Sequence, residues 1–325
     1  MSQNSLDFED FEIEPVSGDI PRHKAAMALA AGQDPLGPLG KLRGTFKGTG
    51  FNQIWRPFDI QTQPPQDRFL ELNETQEVLQ FVEIKGDIPN RGLLQNDINL
   101  HGLTYLQRIN DVNVKTNGKP TGIHIEPGIW ISIPATTNPQ DPETVARLAN
   151  IPHGTSLVSQ GTGTVAPLPL TFPSADITPF VIGQPTKLIQ FPETKLATAT
   201  NFRTPSQDIP HVTQQMVDNP NVVLAAGIAG KTIKFVTQLK ISTVDLTPPP
   251  NSGGGTSNIA FLTGVAGKPN ADTAQMDATF WISDFVDAQG KPGLMLQYSQ
   301  RVLLNFNGLS WPHVSVANLV KLPEA

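Results

Sequence analysis

Histidine is the side chain best suited to bind a metal or to move a proton near neutral pH, and two of the six histidines stand in informative patterns. His124 and Glu126 are separated by one residue, so an extended strand points both side chains to the same face. Such a pair either supplies two ligands to a metal ion or forms a structural hydrogen bond, and we favour the hydrogen bond. His313 shares a strand face with the small residues Ser315 and Ala317, where it is either a metal ligand or a buried strand histidine.

Several catalytic arrangements are absent from the sequence. Cysteine does not occur, which excludes disulfides, thiolate catalysis, iron–sulfur clusters and cysteine zinc sites. No two histidines have the HExxH spacing of a zinc site. Asp97 and His101 lie near each other without a nucleophile in sequence reach, so a catalytic triad is not indicated. The glycine-rich runs at 161–164 and 253–255 lack the features of a phosphate-binding loop.

The composition indicates which elements position these side chains. The chain has 325 residues and a net charge of −6, and only 16% of its residues are charged. The negative charge argues against binding to a nucleic-acid backbone. The chain contains 27 glycines and 30 prolines, which indicates frequent turns and few long helices. No apolar run approaches the ~18 residues of a membrane-spanning helix, and the acidic N-terminus lacks the pattern of a signal peptide. We therefore expect a soluble cytoplasmic protein.

Strand-like segments separated by turn signals recur along the chain. They span residues 43–51, 69–72, 77–84, 103–110, 122–133, 155–166, 231–245, 259–262, 276–285, 293–305 and 313–322. Clear turns are expected at Asn117-Gly118 and Gln289-Gly290. About ten strands with few helices predict an all-β fold, either a barrel or a sandwich.

The chain is expected to form one β domain. Residues 1–40 are interpreted as an N-terminal extension with a helical candidate at 21–31, and residues 41–325 as a single barrel domain. Insertions into this domain are expected at 135–152, 167–230 and 248–258.

These insertions differ in character. In the first, Asp141 and Pro142 begin a short helical candidate that extends to residue 149. The second is rich in proline, and we expect it to pack on the domain body because a structureless loop of that length is improbable. The third is interpreted as a flexible surface loop.

Two candidate strands, residues 123–133 and 313–322, lack a plainly solvated face. Each has one aliphatic face and one face of polar or small residues that includes its histidine. A barrel explains both faces if its interior holds a ligand on the polar side and the insertions cover the aliphatic side. An aliphatic interior with the histidines outside explains them equally well. Because neither strand has a plainly solvated face, we expect residues 135–152 or 167–230 to bury most of the aliphatic side chains Ile125, Ile129, Ile131, Val314, Val316 and Val320.

Four short motifs follow one another along the chain. They are Gly44-Thr45-Phe46-Lys47-Gly48-Thr49-Gly50, Leu103-Thr104-Tyr105-Leu106-Gln107-Arg108, Ile123-His124-Ile125-Glu126-Pro127-Gly128-Ile129-Trp130, and Tyr298 followed by Pro312-His313-Val314-Ser315-Val316-Ala317-Asn318-Leu319. In this order they resemble the motifs of the nitrobindin-like haem-binding β-barrels, a calycin-type family. The resemblance covers about half of the chain, and Phe46 stands where the family usually has tryptophan.

The resemblance implies a ten-stranded antiparallel barrel with haem b in its mouth. It implies that His313 is the axial ligand of the iron, a standard role for neutral imidazole, and that His124 lies near the pocket as the candidate catalytic residue. The candidate cofactor-binding residues are Thr45, Thr49, Tyr298, Trp311, Ser315 and Ala317. Among these, the two small residues beside His313 would leave room for a planar group, and Trp311 would form a wall.

Three functions follow from these interpretations. The first is haem-based chemistry on a small oxidant, as in a haem-dependent peroxidase or a peroxynitrite isomerase, or the handling of nitric oxide. The second is a haem-free barrel that binds an apolar metabolite or a lipid. The third is a non-catalytic interaction protein whose insertions form the binding face. The sequence leaves the substrate and the oligomeric state open.

Overall fold

The computed structural model describes residues 34–58, 67–245 and 252–323. The helical candidate at 21–31 lies outside these residues. The strands are β1 Gly44–Pro57, β2 Arg68–Glu83, β3 Ile88–Asn90, β4 Ile98–Thr116, β5 Lys119–Ile133, β6 Thr136–Thr137, β7 Gln140–Asp141, β8 Thr144–Ile151, β9 Thr155–Val165, β10 Phe180–Val181, β11 Gln184–Leu188, β12 Thr232–Ser242, β13 Gly253–Asn258, β14 Asp272–Val286, β15 Pro292–Phe306 and β16 Leu309–Lys321. The helices are α1 Gln214–Asp218, α2 Val222–Gly227 and α3 Ala260–Thr263, with 3-10 turns at Gly37–Leu42, Pro192–Thr194 and Ser206–Asp208.

Ten strands form a closed antiparallel barrel, which confirms the predicted fold class. Their order is β1-β2-β4-β5-β8-β9-β12-β14-β15-β16, and β16 pairs back to β1. Outside the barrel, β3 pairs with β4, β13 pairs with β9, and the β10–β11 hairpin extends from β16. No helix in the described part of the chain is long and apolar enough to cross a membrane.

Both predicted turns are present. Asn117 and Gly118 have φ angles of 53° and 76°, the two left-handed conformations that a tight hairpin between β4 and β5 requires. Gly290 has a φ of 82° in the turn between β14 and β15. Local turn chemistry thus sets the register of these two hairpins.

One end of the barrel is closed by the 3-10 helix Gly37–Leu42. Leu36, Leu39 and Leu42 are almost wholly buried and join the inner hydrophobic core. Arg43 holds the segment in place through hydrogen bonds to Asp34. The boundary expected at residue 40 therefore cuts through a part of the barrel core.

Residues 166–230 form a layer against the outside of the barrel, as expected. A second hydrophobic core lies between this layer and the outward side chains of β1, β2, β12, β14, β15 and β16. Side-chain amides also attach the layer: Gln53 donates to the carbonyl of Val217, and Gln297 donates to the carbonyl of Leu224. The layer is therefore joined to the wall by apolar burial and by hydrogen bonds.

The layer covers only one side of the barrel, which corrects part of the expectation. Val314 and Val316 are fully buried beneath it. Ile125 and Val320, in contrast, are 46% and 39% exposed. No described residue of β4, β5, β8 or β9 belongs to the outer core, because residues 166–230 dock against the opposite strands.

Three local predictions are wrong. The helix expected from Asp141 to residue 149 is largely the barrel strand β8, which pairs with β5 and β9. The strand expected at 259–262 is the short helix α3. The described part of the loop expected at 248–258 contains β13. For β8, pairing on both edges outweighs the local helical signal of a capping residue and alanines.

Candidate functional site

The register of the barrel strands decides which side chains face the interior. Tyr105 and Gln107 on β4 pair with Gly128 and Glu126 on β5, and all four positions point inward. The same alternation points Tyr298 on β15 into the barrel. The inward polar side chains meet in one buried group, hereafter the polar cluster: Glu77, Tyr105, Gln107, Glu126, Arg147 and Tyr298. Four of its six members come from the motifs that suggested the family resemblance.

The first half of the polar cluster surrounds Glu77 with neutral donors. Tyr298 donates to its Oε2 over 2.6 Å, Gln107 donates to the same oxygen over 3.2 Å, and Thr75 donates to Oε1 over 3.1 Å. The carboxyl group is fully buried and forms no ion pair among the described residues. Burial raises the pKa of Glu77 above its usual range, although these hydrogen bonds oppose the change.

The second half of the polar cluster is an ion pair. Glu126 binds Arg147, and both side chains are buried. Tyr105 donates to Oε1 of Glu126 over 2.5 Å and accepts from Nε of Arg147 over 2.9 Å. Burial alone would raise the pKa of Glu126, but Arg147, His124 and Tyr105 outweigh it and hold this pKa at about 2. The pKa values of two carboxyl groups inside the same barrel are thus shifted in opposite directions.

Two motif glycines make room for the polar cluster. A Cβ on Gly50 would lie 2.4 Å from the carbonyl oxygen of Val316 and 2.8 Å from Oε1 of Glu77. A Cβ on Gly128 would lie 2.5 Å from the ring of Tyr105. These distances are far below van der Waals contact, so glycine at both positions is a packing requirement.

His313 projects from β16 into the barrel beside the polar cluster, at the end opposite the 3-10 helix. Its cross-strand neighbours are the apolar residues Ile54 and Val302. Ser315 places Oγ 3.3 Å from its Nε2. Burial lowers the pKa of His313 to about 3, with further contributions from His124 and His153. The imidazole is therefore neutral at physiological pH.

His124 faces His313 from the other side of the barrel, because β5 and β16 are separated by β1, β2 and β4. Its Nε2 lies 3.4 Å from Oε2 of Glu126, as in the hydrogen-bonded pair favoured from the sequence. His153, in the turn after β8, has its ring 5.8 Å from that of His124. Sequence reasoning gave His153 no role, since its position depends on the register of the unrecognised strand β8.

Several predicted cofactor-binding residues lie elsewhere. Thr45 and Thr49 alternate with the inward Phe46 and therefore lie on the outer face of β1. Trp311 belongs to the outer core, where it stacks on Phe306 with ring centroids 4.7 Å apart. These three residues do not line the interior as predicted.

The remaining candidates do face the interior. Ser315 contacts His313, and Ala317 lies in the inner core in register with Tyr298. Tyr298 itself is bound to Glu77. Among the described residues, no group of three or more histidine, aspartate or glutamate side chains is arranged to hold a metal ion.

Comparisons with known proteins add little to this geometry. No known family matches the chain, and no curated protein matches it. A solved structure titled "Crystal Structure of Rv2717c from M. tuberculosis" is similar to 90% of this chain and 99% of its own, with 16% identity and a TM-score of 0.38. A likeness this distant carries no argument about the site.

Proposed function

We propose that the barrel binds haem beside the polar cluster, with the imidazole of His313 as the axial ligand of the iron. The observation that carries this proposal is the state of His313. It lies on the inward face of β16 and is partly buried, burial lowers its pKa, and it forms no ion pair among the described residues. Neutral imidazole is a standard protein ligand of haem iron.

The surrounding residues fit such a group in part. Ile54 and Val302 flank His313 with aliphatic side chains, which suits the apolar face of a porphyrin. Ser315 is the polar neighbour of Nε2, and ligation through that nitrogen would displace this contact. Haem needs only one protein ligand, so it does not require a cluster of metal-binding side chains.

The opposite wall presents an imidazole with a restrained orientation. His124 contacts Glu126, which is fixed in turn by Arg147 and Tyr105. A partner on one ring nitrogen determines which tautomer a histidine adopts. When bound, haem would supply iron chemistry toward a small oxidant such as a peroxide or peroxynitrite. His124 would then offer a hydrogen bond, or accept one, at the reacting side.

The test is a titration of the purified protein with haemin, followed by its Soret absorption band. We expect wild type to bind haemin and His313→Ala to lose it while remaining folded. His124→Ala should keep haemin with an altered spectrum. His101→Ala is the matched control, because His101 contacts Asp87 near the end closed by the 3-10 helix. An unchanged His313→Ala spectrum would refute the ligand assignment, and a wild type that never binds haemin would refute the haem proposal.

A second candidate function is the binding of a haem-free ligand with an apolar body and a polar head group. Asn52 and Asn73 are cross-strand neighbours on inward positions of β1 and β2. The Oδ1 atoms of both are buried without a hydrogen-bond donor among the described residues. A ligand hydroxyl would donate to one of these two oxygens, and unpaired buried acceptors are costly.

This candidate is tested with 1-dodecanol and with dodecane as the apolar control. We expect the alcohol alone to raise the melting temperature of a colourless preparation, and Asn52→Leu to remove the effect. Equal stabilisation by dodecane would show that the amide oxygens do not contribute.

A further inference from the structure

A cavity of about 310 Å³ lies outside the barrel, between the outer layer and strands β14 to β16. Its floor is a row of cross-strand neighbours, Gln275, Leu303 and Pro312. Phe180 and Leu188, on the β10–β11 hairpin, form an apolar wall. Its volume is at the lower end of the range of small-molecule sites, about 300–1,000 Å³, and its lining is both apolar and polar.

Two charged side chains of opposite sign also line this cavity. Asp176 uses Oδ1 to accept from the backbone N–H of Thr178 over 2.8 Å. Arg301 uses Nε to bind Asp277 over 2.9 Å. Asp176 and Arg301 do not form an ion pair with each other, although both line the same cavity. The remaining Asp176 oxygen and the terminal nitrogens of Arg301 have no hydrogen-bond partner among the described residues.

The apolar surface of the cavity is incompletely covered. Leu188 is 48% exposed, whereas Leu303 on the floor is buried. A ligand with an apolar group would cover this surface, and burial of apolar surface favours binding. The cavity is therefore lined by an acidic side chain, a basic side chain and an apolar wall.

We propose that this cavity binds a free α-amino acid with an apolar side chain. Arg301 would bind the α-carboxylate through its planar fork, which suits carboxylate geometry. Asp176 would accept from the α-ammonium group, and Phe180, Leu188 and Leu303 would contact the side chain. A ligand carrying only one of the two charges would engage only one of these two side chains. The proposal is independent of the haem proposal, because His313 projects to the other face of the wall.

The test is isothermal titration calorimetry with L-phenylalanine and L-leucine. We expect saturable binding, weakened about tenfold or more by Asp176→Asn and by Arg301→Gln, since each removes a charge-assisted hydrogen bond. Phenethylamine, which lacks the carboxylate, and 3-phenylpropionate, which lacks the ammonium group, should bind about tenfold or more weakly than phenylalanine.

Three controls locate the binding. Arg108→Gln removes an exposed arginine from β4, on the side of the barrel without the outer layer, and should leave the affinity unchanged. His313→Ala should also leave it unchanged. Leu188→Ser should weaken binding without unfolding the chain, because this side chain is already half exposed. The proposal is overturned if neither amino acid binds at about 10 mM, or if either analogue binds as tightly as phenylalanine.

Discussion

Tyr298 donates a hydrogen bond of 2.6 Å to Glu77 across the barrel interior, although 221 residues separate the two along the chain. Gln107 donates both to this carboxyl group and to the hydroxyl of Tyr298. The neighbouring strands β2 and β4 and the distant strand β15 therefore meet at one acidic side chain. Since all the donors are neutral, nothing in the contact compensates a negative charge, and the ionised form of Glu77 is the costly one.

The first prediction concerns the pH dependence set by Glu77. A carboxyl group whose pKa is raised in the folded state stabilises the fold below its unfolded-state pKa and loses that contribution as pH rises through the folded-state value. Relative to Glu77→Gln, wild type should therefore lose stability as pH rises. Urea unfolding of both proteins between about pH 4 and 8 measures the difference. A constant difference in the free energy of unfolding would show that Glu77 does not titrate in this range.

The second prediction concerns the buried pair of Glu126 and Arg147. Arg147→Met should cost about 3–5 kcal/mol, because it leaves a buried carboxylate without its cation. The double variant Glu126→Leu with Arg147→Met should recover part of this loss. Chemical denaturation measures the free energy of unfolding of the single and the double variants. The pairing would be contradicted if the double variant lost more free energy of unfolding than the two single variants lose together.

The same ion pair predicts that the folded protein loses stability in acid. The folded-state pKa of Glu126 is held at about 2, so its contribution is present above the unfolded-state pKa and is lost as pH falls toward 2. Wild type should thus lose stability on acidification relative to Glu126→Gln. Melting temperatures from circular dichroism at falling pH would show whether the two curves converge.

The fourth prediction compares two glycines on β5. Gly128→Ala places a Cβ 2.5 Å from the ring of Tyr105 and should cost about 1–3 kcal/mol or more from overpacking. Gly122→Ala is the control, since its Cβ would lie 3.5 Å from Asn110, an ordinary contact. Similar losses of stability in both variants would refute the packing explanation.

The fifth prediction compares two valines on outward strand positions. Val316 is fully buried beneath the outer layer, whereas Val158 is 47% exposed. Val316→Ala should cost about 1–3 kcal/mol, and Val158→Ala less than about 0.5 kcal/mol. Deletion of residues 167–230 should expose the whole outer core and cause aggregation, which light scattering detects. A soluble, monomeric deletion variant would contradict this role of the layer.

The fold was predictable because most strands carry their own local signals. Asn117-Gly118 marks a hairpin, and alternation along β5 separates its polar face from its aliphatic face. The polar cluster was only partly predictable. Tyr105, Gln107 and Glu126 stand in recognisable motifs, and alternation places them on inward faces.

The partners of these residues were not predictable in the same way. Arg147 lies in a segment with helical signals, and its meeting with Glu126 depends on the register between β5 and β8. Thr45 and Thr49 were assigned to the wrong face of β1. Outward residues of this strand such as Trp55 are themselves apolar and buried beneath the outer layer, so hydrophobicity does not distinguish its two faces.

The one-sided outer layer gives the barrel walls of unequal stiffness. Six strands are held between two hydrophobic cores, while β4, β5, β8 and β9 are supported from the inside alone. His313 stands on the doubly supported wall, and His124 stands on the singly supported one. Thermal motion should therefore be larger in the wall that is supported from one side only, so the distance between the two imidazoles should fluctuate with that wall.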